Sequence, residues 1–195
     1  MRRWLTIILL ALVPTIASAQ ARNWGCVSAR VSQVSRDNLQ VWALRFVAGN
    51  VGNRNPVSPA EFLSLATICG MPTDKPSDAE PIFMYLSETA FASVLNEKYG
   101  ISEHELAEAW LGLRATDRAR VREGAELWFS KKITGDQLAA LYSPGRDYFG
   151  PILLASKSLK DQADATFIGD LARYYAAFRS LREAREAGYG PNPGS

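Results

Sequence analysis

One histidine stands in the chain, so several mechanisms can be tested quickly. Any Ser-His or Cys-His nucleophilic site has to use His104, because the hydroxyl or thiol needs a neighbouring base. His104 falls between Glu103 and Glu105 in the first turn of a predicted helix, where it reads as a surface side chain. His104 and Glu108 sit at i and i+4, so they share a helix face and could hold one metal ion together. Zinc needs three or four ligands, and no second histidine supplies one; no metal is expected. Haem ligation by His and Met would draw on Met71, in a linker, or Met84, on a strongly apolar helix. Core packing accounts better for Met84, and no cofactor is expected.

Glycan cleavage is the hydrolytic chemistry that remains. It needs two carboxyl groups, one kept protonated by an apolar pocket. Glu105 and Glu108 stand near Trp110, and Glu126 stands near Trp128. Such neighbours arise by chance on amphipathic helices, and no Gly-rich phosphate loop, G-x-S-x-G, S-x-x-K or H-E-x-x-H occurs. No residue is assigned as catalytic. Trp24, Trp42, Trp110 and Trp128 read as core rather than as ligand platforms.

The most unusual local composition is Ser143 to Pro151. It sets Arg146, Asp147, Tyr148 and Phe149 among two prolines and two glycines. Tyr, Phe and Arg are the residues that anchor interfaces, so these four are the candidate binding residues. The loop 50–55, with Arg54, is a weaker candidate of the same kind.

These residues need an address and a frame. Arg2 and Arg3 give a positive start, Trp4 to Val13 an almost unbroken apolar run, and Ala17-Ser18-Ala19 a small-residue cut before Gln20. That is the pattern of a secretory signal peptide, and export by the general secretory or the twin-arginine route is expected. The run is short of the roughly 20 apolar residues that span a bilayer. The protein is expected in the periplasm or secreted, with no stable membrane insertion after cleavage. Cys26 and Cys69 are the only cysteines, and in an oxidising compartment two cysteines pair. Their loop of about 44 residues corresponds to roughly 4 kcal/mol of chain entropy.

The chain has 22 basic and 20 acidic residues. Without residues 1–19 the two signs balance, which argues against nucleic acid, whose binding rests on neutralising phosphates. Residues 74–108 carry a local excess of acids and 114–132 one of bases. These read as two faces that attract each other within the fold.

Helix signals dominate. A helix is predicted over 27–48, with Val27, Val31, Val34, Val41 and Leu44 on one stripe and Leu39, Trp42 and Phe46 beside it. Ser58-Pro59-Ala60-Glu61, Ser102-Glu103-His104-Glu105 and Thr134-Gly135-Asp136-Gln137 read as capping boxes. Another helix follows Thr116 as its cap, with Val121, Ala125, Trp128 and Phe129 as its face. A long helix ends near Ala187; Tyr175 and Phe178 form part of its stripe, available for self-assembly. Its late arginines suit the helix dipole. The prediction is an all-α, single-domain bundle or orthogonal array of six to seven helices, stapled by one disulfide. Residues 1–19 are the signal peptide, 20–187 the globular domain and 188–195 a disordered tail. The expected function is that of an exported, non-enzymatic binding or accessory protein of the cell envelope, with an unidentified protein partner. The rival reading is a cell-wall glycan-acting enzyme.

Overall fold

The computed structural model describes residues 23–49, 56–73, 79–134, 137 and 162–188. Seven helices lie among them: α1 (Trp24–Arg30), α2 (Gln33–Val47), α3 (Pro59–Ile68), α4 (Glu80–Tyr99), α5 (Glu103–Gly112), α6 (Ala115–Phe129) and α7 (Gln162–Gly188). No strand occurs among the described residues, so the all-α expectation holds. The expected signal segment, residues 50–55 with Arg54, residues 143–151 with Arg146, Asp147, Tyr148 and Phe149, and residues 189–195 of the tail lie outside the described residues.

The long first helix predicted over 27–48 is two helices. Val31 and Ser32 are extended, with ψ of 133° and 152°. Ser32 then caps α2, its Oγ accepting from the Ser35 N–H at 3.1 Å. A hydroxyl that can serve the backbone ends one helix and starts the next more cheaply than it sits in a helix interior. The break also changes the phase of the buried stripe. Val34 and Val41 are 69% and 47% exposed, whereas Ser35, Leu39, Ala43 and Phe46 are buried. Their spacing of four, four and three is the helical face that the string of valines masked.

Capping accounts for the other boundaries. Ser102 and Glu105 form the full reciprocal box at α5. Ser58 caps α3, with Pro59 at the first helical position. Its expected partner Glu61 turns elsewhere: it accepts from the Ser32 N–H at 2.9 Å and from Ser35 Oγ. Glu61 therefore finishes the cap of α2 instead of its own helix. Burial opposes its charge, but these hydrogen bonds prevail and hold the Glu61 carboxyl below the usual range. Arg114, not Thr116, precedes α6, and it pairs with Asp117 at 2.7 Å. Val121 and Ala125 of that helix are buried, with Trp128 and Phe129 partly buried on the core. Thr134 and Gln137 exchange the contacts of the third box.

α4 is the hub. It packs on α7, α2, α5, α1 and α3, and from Pro81 to Leu95 few of its residues are open to solvent. A helix apolar on most sides is a central one. Phe91 stacks on Phe178 with centroids 5.7 Å apart and on Tyr174 at 5.6 Å. Phe46 of α2 meets Tyr174 edge-on at 4.7 Å. Each buried aromatic of this cluster contributes about 1.5–3 kcal/mol through area and about 0.5–1.5 kcal/mol more through ring geometry. Tyr175 and Phe178 are buried in this interior, so the stripe expected to serve self-assembly is core. Cys26 of α1 and Cys69 at the end of α3 form the expected disulfide, with Cα atoms 5.7 Å apart. No helix among the described residues is long and apolar enough to cross a membrane.

Candidate functional site

Among the described residues, the side chains considered for catalysis or metal binding do not gather into one site. His104 lies beside Glu108 at 3.3 Å, as the spacing implies, but the two side chains are 80% and 67% exposed. Glu105 is taken by its cap: its Oε2 accepts from the Ser102 N–H at 2.7 Å and from Ser102 Oγ at 2.8 Å. Neither carboxyl occupies the apolar pocket that would keep an acid protonated. Glu126 accepts from Arg185 at 2.6 Å. Met71 and Met84 are both core. Among the described residues, no three His, Cys, Asp or Glu side chains gather as a metal-ligand set.

Trp110 is buried, while Trp24, Trp42 and Trp128 are partly buried against the core. The indoles of Trp24 and Trp110 also serve the charged seam between α4 and α7, which the sequence reading missed. Glu88 sits in the middle of α4 with its side chain 5% exposed. Arg182 grips it with two nitrogens, at 2.7 and 3.3 Å, and Arg179 approaches to 3.5 Å. Arg179 also donates to Glu183 at 3.0 Å and to the Tyr175 hydroxyl at 2.8 Å. Trp110 Nε1 donates to Glu183 at 3.0 Å, and Trp24 Nε1 donates to Glu186. Trp24 stacks on Tyr85 at 4.8 Å, and the Arg182 guanidinium lies over both rings. Outermost, Arg185 joins Glu80 and Glu126.

Charges taken out of water are costly unless their hydrogen-bonding capacity is filled. Burial pushes the Glu88 carboxyl above its ordinary range, against the pull of Arg182 and Arg179. Burial, together with the nearby Glu88 charge, pushes the Tyr175 phenol up to about 12. The seam thus fills its own demands and leaves little for a ligand. It also changes the reading of the charge asymmetry: Glu80 and Glu88 of the acidic stretch pair with arginines of α7, not with the bases of 114–132.

The other flank of α4 is open. Between α1, α2 and α4 runs a groove of about 310 Å³, at the lower end of the volumes that hold ligands. Leu39, Leu86 and Ala90 floor it. Gln40, Ser93 and Glu97 form one end, and Arg36 stands toward the other. Gln40 Nε2 donates to Ser93 Oγ at 2.7 Å and to Glu97 Oε1 at 2.6 Å, while Ser93 Oγ reaches Glu97 at 3.2 Å. Arg36 donates to the Val31 carbonyl at 3.3 Å and to the Ser28 carbonyl. The groove depends on the break at Val31-Ser32, because that break turns α1 away from the axis of α2.

No protein-family model, curated protein or solved structure gives a significant match to this chain.

Proposed function

We propose that this is an exported protein of the cell envelope that acts by binding a protein partner, as an adaptor, inhibitor or secretion-system accessory. The fate of the carboxylates carries the reading. Among the described residues, those in the interior are consumed by arginines and indoles, Glu105 by its cap, and Glu108 stands in solvent with His104. The disulfide suits an oxidising compartment, and the arginine pair, apolar run and small-residue cut at the start of the chain suit export. Arg146, Asp147, Tyr148, Phe149 and Arg54 are the proposed contacts, on the strength of their side-chain chemistry.

Cell fractionation with N-terminal sequencing tests export; the expected product starts at Gln20 and is found outside the cytosol. Photo-crosslinking from positions 146 and 148 in intact cells should trap one defined partner. Release of muropeptides by the purified protein, lost in Glu105→Gln or Glu108→Gln, would replace this reading with the glycan-cleaving one.

A further inference from the structure

We infer that the groove between α2 and α4 is a seat for a lysine side chain of the protein partner, its ammonium on Glu97 and Gln40 and its alkyl stem along the floor. This inference rests on the binding function proposed above and names the chemistry that the partner presents.

The donors and acceptors at the Glu97 end decide what the groove can receive. Both Gln40 amide bonds run to acceptors, Ser93 Oγ and Glu97. A carboxylate cannot receive a bond from an amide oxygen, so the amide orientation is fixed with its nitrogen inward. The Ser93 hydroxyl is turned to Glu97, and the Thr89 hydroxyl is spent on the Leu86 carbonyl at 2.9 Å. Among the described residues, nothing donates to Gln40 Oε1 or to the second Glu97 oxygen, and both stand as acceptors. Among the described residues no cation lies within ion-pair distance of Glu97. A wall whose donors are used up and whose acceptors include an uncompensated carboxylate selects a group that only donates. Ammonium has three donors and no acceptor.

The shape agrees. The floor of Leu39, Leu86 and Ala90 lies beside the acceptors, and a lysine lays its methylene stem on apolar surface while its charged head stays in a polar setting. Glu97 also lies in the last turns of α4, where the negative end of the helix dipole favours a cation. Arg36, one helical turn before Gln40, has its guanidinium turned to the Val31 and Ser28 carbonyls.

The test is an NMR titration of the mature, oxidised protein with acetyl-Ala-Lys-Ala-amide. The control is the same peptide with its lysine ε-acetylated, which removes the charge and two donors. Shifts confined to Gln40, Ser93 and Glu97 are expected with the first peptide and not with the second. Glu97→Gln should weaken binding about tenfold, the effect of losing a charged hydrogen-bond acceptor. Ser93→Tyr, which fills the groove and leaves the carboxylate in place, should weaken it similarly; circular dichroism confirms that each variant is folded. Shifts spread over all exposed carboxylates, or binding indifferent to both substitutions, would overturn the inference. A partner trapped in cells that binds both variants as well as the parent would overturn it too, and leave the binding function standing. Peptide binding that depends on Glu97, with no partner trapped, would keep the seat and sink the proposed function.

Discussion

Glu88 and Glu97 stand on the same helix and meet opposite fates. Glu88 faces α7, is nearly removed from solvent, and is held by two arginines. Glu97 faces α2, stays exposed, and among the described residues has a glutamine and a serine as its hydrogen-bond partners. The difference follows from the partner helix. α7 offers Arg179 and Arg182 three residues apart, which is one helical face, so a carboxylate can be buried against them. α2 offers Gln40 from a helix that begins anew at Ser32, while its Arg36 is turned to the carbonyls of Val31 and Ser28. A buried carboxylate has to be saturated from within the fold; an open one can wait for a ligand.

The largest way to break this comparison is Glu88→Ala. It takes from Arg179 and Arg182, both mostly buried, the carboxylate they share and leaves them Glu183 and Glu186 alone; removal of one member of a buried pair costs up to about 3–5 kcal/mol. Chemical denaturation should show that loss, and combining it with Arg182→Ala should cost clearly less than the sum. If Glu88→Ala were as mild as a surface substitution, the seam would not be the structural element described. Next come the cysteines. Cys26→Ser, Cys69→Ser and the double variant should lower the melting temperature alike, with an upper expectation of about 4 kcal/mol from loop closure. Unequal effects would break the link that fixes α1 beside the seam.

A third test concerns pH. Tyr175 holds its proton to about 12 in the folded protein, above the ordinary 10. Its contribution is therefore whole below pH 10 and is lost as pH rises through about 12. Across that window stability should fall by about 2–3 kcal/mol, with Tyr85, also raised by burial, acting in the same direction. Tyr175→Phe should flatten the slope. The smallest expected effect belongs to Glu97→Gln, within about 0.5 kcal/mol of the parent, as for other surface positions. A large destabilisation there would mean that the open flank is structural after all.

Much of the frame was legible in the residues. The disulfide needed only two cysteines, and Ser58 and Ser102 marked helix starts by local chemistry. Local signals fail where the deciding partner is remote. Glu88 sits with Ser87 and Thr89 as a polar step between Leu86 and Ala90 of an otherwise apolar helix, but its partner Arg182 lies 94 residues away. Glu61 fitted a box with Ser58, yet Ser32 and Ser35 compete for the same oxygens and win. The valine stripe of α2 misled because one extended pair, Val31-Ser32, resets the helical phase. The groove could not be read at all, since it exists only once that pair has bent the chain.

The two indoles that point at α7 have a practical consequence. Trp24 and Trp110 donate to Glu186 and Glu183, three residues apart on one helix. Their emission colour should register whether the last helix is seated, since each loses a carboxylate acceptor and gains water when it leaves. The molecule comes with a built-in optical gauge of the docking of that helix, readable without any label.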